Sequence, residues 1–135
     1  ILMLLRGIVW EKWEMAYAEG KWSLAEVVLH CLDAERIFAY RALRISRGDQ
    51  TPLPGFEQDD YVPNSGAGSR TPASIVDEFE AVRDATIHLF KNFSDDMWER
   101  RGTASNAEIT VTALAFIIAG HWEHHLRVIR ERYLS

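Results

Sequence analysis

Between Thr71 and Lys91 the residues Ile75, Phe79, Val82, Thr86 and Phe90 recur every three or four positions. That is the period of a helix burying one face, and "TPAS" opens it with Thr71 as cap and Pro72 in the first helical position. Three further segments carry the same signature. A first helix is expected over about residues 1–14, entering the chain without a cap, as the shortened end of a longer helix. A second starts at "SLAE", where Ser23 and Glu26 can form a capping box, and runs to about Ser46. A fourth, capped near Thr110, runs to about Tyr133. No stretch alternates as a strand would, and "RRGTASNAE" reads as a polar loop. The fold class is therefore all-α, an antiparallel four-helix bundle with its first helix truncated, and residues 1–135 form one domain. The Pro- and Gly-bearing segment "RGDQTPLPGFEQDDYVPNSGAGS" makes the long connection between the second and third helices.

Composition excludes several classes of function. A net charge of −5 offers no basic surface to a nucleic acid backbone. The opening "ILMLLRGIVW" is too short to span a membrane and is broken by Arg6. Cys31 is the one cysteine, so no internal disulfide can form, which fits a cytoplasmic protein.

The chemistry-bearing residues gather in "GHWEHHLRV". On a wheel of about 100° per residue, the apolar residues Val111, Leu114, Ile118 and Ile129 share an arc with His121 and His125, while His124 falls on its margin. Two imidazoles one turn apart on one face is the spacing by which a helix presents a pair of ligands to a metal ion. On the second helix His30 lies at the shoulder between an apolar arc (Val27, Cys31, Ala34, Phe38, Ile45) and a polar one (Glu26, Asp33, Arg44). Two readings stand side by side: imidazoles satisfied inside an ordinary core, or three ligands drawn from two helices. His88 reads as surface, and Cys31, turned about 100° from His30, as a buried structural thiol.

The segments "GKWSLAEVVLHCLDAERIFAYRALRISRGDQTPLPGFEQDDYV" and "RRGTASNAEITVTALAFIIAGHWEHHLRVIRERYL" resemble the DinB-like superfamily, in its YfiT-like metal-dependent branch. The resemblance runs from about Trp13 to Leu134. It implies a four-helix bundle, often dimeric, whose divalent metal is held by one His of the second helix and an H-x-x-x-H pair of the last. Carried over by position, those ligands are His30, His121 and His125, with His124 a companion that does not bind. Many relatives carry an acidic residue directly after the first His of the pair, where this chain has Trp122.

Three imidazoles leave a divalent ion with open positions, and zinc and nickel both suit them. The nucleophile would be metal-bound water or a thiol, with no protein nucleophile. Relatives such as bacillithiol S-transferases and mycothiol-dependent isomerases imply a thiol S-transferase acting on small electrophiles with a low-molecular-weight thiol. A metal-dependent hydrolase, and a non-enzymatic dimeric metal-binding or stress-response module, are the alternatives. The expected partners are a small-molecule substrate and a second copy of the chain. Glu26 and Asp33, one turn either side of His30, are the candidate acceptors of its free N–H. Arg41 and Arg44 are candidates to bind a substrate carboxylate, against the simpler reading that "DAERIFAYRALR" makes ion pairs.

Overall fold

The computed structural model describes all residues, 1–135. Its helices are α1 (Leu2–Gly7), α2 (Leu24–Ser46), α3 (Gln58–Tyr61), α4 (Pro72–Lys91), α5 (Asp95–Glu99) and α6 (Val111–Val128). Helices α1, α2, α4 and α6 build a four-helix bundle, and α3 and α5 are single turns in the connections.

The three long helices start where their caps demand. Ser23 Oγ accepts from the Glu26 N–H, and the Glu26 carboxylate accepts from the Ser23 N–H at 2.7 Å, closing the capping box of α2. Thr71 Oγ1 caps α4 by accepting from Ser74 N–H, and Thr110 Oγ1 caps α6 by accepting from Ala113 N–H. Each cap satisfies an N–H that the first helical turn leaves without a partner.

The first helix departs from expectation. It ends at Gly7, the chain extends through Ile8 and Val9, and a separate 3₁₀ turn covers Trp10–Glu14. The break turns Trp13 into the core, where it is 2% exposed and points its indole N–H at Ile8 O. Residues 101–110 are not a loop. They form a hairpin, β1 (Arg101–Ala104) against β2 (Ala107–Thr110), in the register Arg101↔Thr110 to Ala104↔Ala107. Ser105 and Asn106, at φ of 50° and 63°, supply the left-handed pair that a two-residue hairpin turn requires. Gly102 lies so close to α2 that a Cβ there would stand 2.6 Å from Ile45 Cγ1. Leu53 of the crossover pairs with the free edge of β1, donating to Thr103 O and accepting from Ser105 N–H.

Side-chain pairings fix the helix directions. Along α2, His30, Glu35 and Phe38 meet His125, Trp122 and His121 in turn, so α6 runs antiparallel to it. Ala25 shares a cavity wall with Ile75, and Leu43 shares another with Leu89, so α4 runs alongside α2 in the same direction. The crossover over residues 47–71 makes that return possible. The core between the layers holds Leu24, Val28, Leu32, Ile45, Ile75, Phe79, Leu114, Trp122 and Ile129. No helix is long and apolar enough to cross a membrane.

Candidate metal centre

His30 is 3% exposed on the face α2 turns to α6, and His121 and His125 approach it from α6, one turn apart. His30 Nε2 stands 3.0 Å from His121 Nε2. The ring centroids are 4.8 Å apart for His30 and His121, 5.0 Å for His30 and His125, and 4.6 Å for His121 and His125. One nitrogen of each ring lies within 4.8 Å of one nitrogen of the other two. Two aromatic rings wall the cluster: Trp22 at 5.1 Å from His30 and Phe38 at 6.1 Å from His121. Trp22 is itself held by Tyr133, whose hydroxyl donates to Trp22 O at 2.6 Å from the turn of π-helix that ends the chain's last helix.

Burial sets the charge of the site. It lowers the His30 pKa to about 4, assisted by His121 and partly opposed by Asp59. It lowers His125 to about 3, with His121, His30 and His124 adding to the effect, and it lowers His121, with His124 adding. All three are neutral near pH 7, the form in which an imidazole nitrogen can ligate. The donor set suits a borderline divalent ion, because tetrahedral Zn–N bonds of ~2.0–2.1 Å need nitrogens roughly 3.3 Å apart. The observed nitrogens, from 3.0 Å to within 4.8 Å, bracket that spacing.

The supporting residues sit differently from expectation. Glu26 is committed to the capping box at Ser23, and Asp33 is half-buried with no hydrogen bond to a side chain, its pKa raised by burial, with Arg36 opposing and Glu78 adding. Neither bonds His30: the cap claims the Glu26 carboxylate, and Asp33 reaches no imidazole. Arg44 is also turned away, donating to Asp49 Oδ2 at 2.7 Å and to Tyr40 on the outer surface. Arg41 is buried, with its guanidinium over the Phe38 ring at 5.8 Å. His88 is exposed, His124 is exposed beside His125, and Cys31 is fully buried with its thiol pushed far above its ordinary value by burial and by Glu35.

A buried polar cluster beside the histidines escaped the sequence reading. The Glu35 carboxylate, with no solvent exposure, accepts from Arg83 Nε at 2.8 Å and from Trp122 Nε1 at 2.7 Å. Trp122 directly follows His121, so this bond ties α6 to α2 at the level of the imidazoles. The one available signal was that Glu35 falls only ~40° from Cys31 on the α2 wheel, on the apolar side.

A family model for the DinB superfamily matches residues 1–129. A curated protein of Oceanobacillus iheyensis, named "Putative metal-dependent hydrolase", is 25% identical over 124 residues, spanning 89% of this chain and 69% of that protein. Among solved structures, YfiT from Bacillus subtilis, described as a probable metal-dependent hydrolase with an unusual four-helix bundle topology, aligns with a TM-score of 0.77. That alignment is 16% identical and covers 96% of this chain and 76% of YfiT. A mycothiol-dependent maleylpyruvate isomerase aligns with a TM-score of 0.73 at 14% identity, covering 93% of this chain and 53% of the isomerase.

Proposed function

Because the chain belongs to the DinB superfamily, we propose that His30, His121 and His125 hold a divalent metal, zinc or nickel, and that the protein is a metal-dependent enzyme. The reading takes residues 1–135 as one domain, working as a cytoplasmic homodimer on a small-molecule substrate. The observation that carries it is the convergence of three neutral imidazoles from two helices in one aromatic-walled cleft. When bound, a divalent ion keeps open positions there and supplies Lewis acidity that favours the deprotonated form of a thiol or of water.

The chain's own residues then favour a thiol that comes from outside. Cys31 cannot serve, since its thiol is buried away from the cleft and held protonated. Neither water nor a thiol would find a carboxylate base bonded to the ligand histidines. No carboxylate hydrogen-bonds any of the three imidazoles, and Glu26 and Glu35 are committed elsewhere. Trp22 and Phe38 offer an apolar wall for the rest of a small electrophile. The reading is therefore transfer of a low-molecular-weight thiol to such an electrophile. The hydrolase reading is retained on the names of the Oceanobacillus protein and YfiT.

Elemental analysis of tag-free protein, wild type beside His30→Ala and His125→Ala, tests the metal site. About one ion per chain is expected in wild type and a large loss in both variants, with helical circular dichroism retained. Equal metal content in all three, before and after reconstitution, would sink the site. Turnover of an electrophile that rises with added thiol separates transfer from hydrolysis. Collapse of the fold on metal removal would instead point to a non-enzymatic structural site.

A further inference from the structure

Two charged side chains with a permanent or paired role are buried on α2, and they are treated differently. Glu35 has its counter-ion in Arg83. Arg41, 6% exposed, has no carboxylate within ion-pair distance, although the less buried Arg44, Arg70 and Arg83 each meet one within 2.9 Å. Its Nη2 donates to Pro54 O at 2.9 Å and to Ser105 Oγ at 3.1 Å, tying the crossover to the hairpin tip. Those two bonds leave Nε and Nη1 without a protein acceptor. Burial lowers the Arg41 pKa with no acidic group pulling it back. An arginine does not give up its proton, so the guanidinium stays charged in a site built without an anion.

The place of this cation matters. Arg41 lies eleven residues beyond His30, about three turns along α2 and about 20° from it on the wheel, or roughly 16 Å of helix. Phe38 stands between the two, with the His121 ring at 6.1 Å from it and the Arg41 guanidinium at 5.8 Å. Taking the metal reading above as its basis, we infer that the site's ligand is an extended small molecule whose far end carries an oxyanion, carboxylate or phosphate, received by Arg41. Nε and Nη1 are not fully enclosed atoms, so an arriving anion can reach them, and charge-assisted bonds to the guanidinium should give a marked preference for a charged ligand.

The probes are 6-mercaptohexanoate and its neutral analogue 6-mercaptohexanol, titrated against the zinc-loaded full chain by calorimetry at constant ionic strength. In wild type the carboxylate form should bind at least tenfold tighter. That preference should fall to near unity in Arg41→Gln and be partly kept in Arg41→Lys. Equal binding of the two probes in wild type overturns the inference without any variant, as does an undiminished preference in a folded Arg41→Gln. A second arm titrates glutarate and inorganic phosphate against the metal-free chain. Saturable binding of either in wild type, lost in Arg41→Gln, supports the anion site even if no thiol binds the loaded protein, in which case only the metal-centred reading fails. If neither anion binds there and the loaded chain binds neither thiol, the anion site falls too. The ratio of glutarate to phosphate affinity separates a carboxylate from a phosphate ligand.

Discussion

Replacing Arg83 with methionine removes one partner from a carboxylate that water cannot reach. Glu35 would keep only the Trp122 indole N–H at 2.7 Å and lose the Arg83 bonds at 2.8 and 3.3 Å. Breaking a buried pair from one side costs about 3–5 kcal/mol, because the charge left behind is uncompensated. The Arg83 side chain retains 27% exposure, so water entering its place offsets part of the loss, and about 2–3 kcal/mol is expected. For a chain of this size that lowers the melting temperature by roughly 6–12 °C. Urea and thermal unfolding of the metal-free protein would read it. The companion Glu35→Gln/Arg83→Met removes the charge along with its partner while leaving an acceptor for Trp122. It should lie closer to wild type than Arg83→Met, with a coupling above about 1 kcal/mol. An Arg83→Met cost under about 0.5 kcal/mol, or strict additivity in the cycle, would refute the argument that this ion pair is a buried, interdependent unit.

Acidification should destabilise the metal-free fold before carboxylates titrate. The folded pKa values of His30 and His125, about 4 and about 3, lie below the ordinary 6.5, so the unfolded chain binds protons that the fold refuses. Stability is then complete above pH 6.5 and is lost as pH falls toward 4, with a slope approaching ~1.4 kcal/mol per pH unit for each imidazole kept neutral. Denaturation midpoints measured from pH 7.5 to 4.5 should fall, and should fall less in His30→Gln; a flat profile would count against neutral, buried imidazoles. At the hairpin, Gly102→Ala puts a methyl 2.6 Å from Ile45 Cγ1 in the packed core. A loss of about 1–3 kcal/mol is expected, partly relieved in Gly102→Ala/Ile45→Ala, and chemical denaturation of the four chains would show whether the two sites couple.

The parts of this molecule that were legible in its sequence are those governed by local rules. Ser23, Thr71 and Thr110 announced helix starts because capping involves residues three apart. Helical period placed His121 and His125 on one face of the last helix and His30 on the shoulder of the second, since a rigid helix converts spacing into direction, and the family resemblance joined the three as one set. What failed depended on long-range competition. Glu26 and Asp33 were given to His30 by proximity along one helix, yet a backbone N–H holds Glu26 and Asp33 reaches no imidazole. Glu35 finds Arg83 and Trp122 at sequence separations of 48 and 87, which no local pattern encodes. The hairpin was hidden by its polar composition. Its strands are recruited by Leu53 and by the notch at Gly102, and both are tertiary features. The helix expected over residues 1–14 breaks because burying Trp13 outweighs continuing the hydrogen-bond ladder past Gly7.

His30 and His121 are 91 residues apart in the chain. Closing a loop of that length carries an entropic cost. The three nitrogens come together only where α2 and α6 pack against each other. Few unfolded conformers could offer all three to one ion, so an ion held by this triad would act as a removable cross-link on the finished fold. In a chain with a single cysteine, and so no internal disulfide, it would be a reversible staple. Its contribution would grow with the logarithm of free metal concentration, and resistance to unfolding would then follow metal supply.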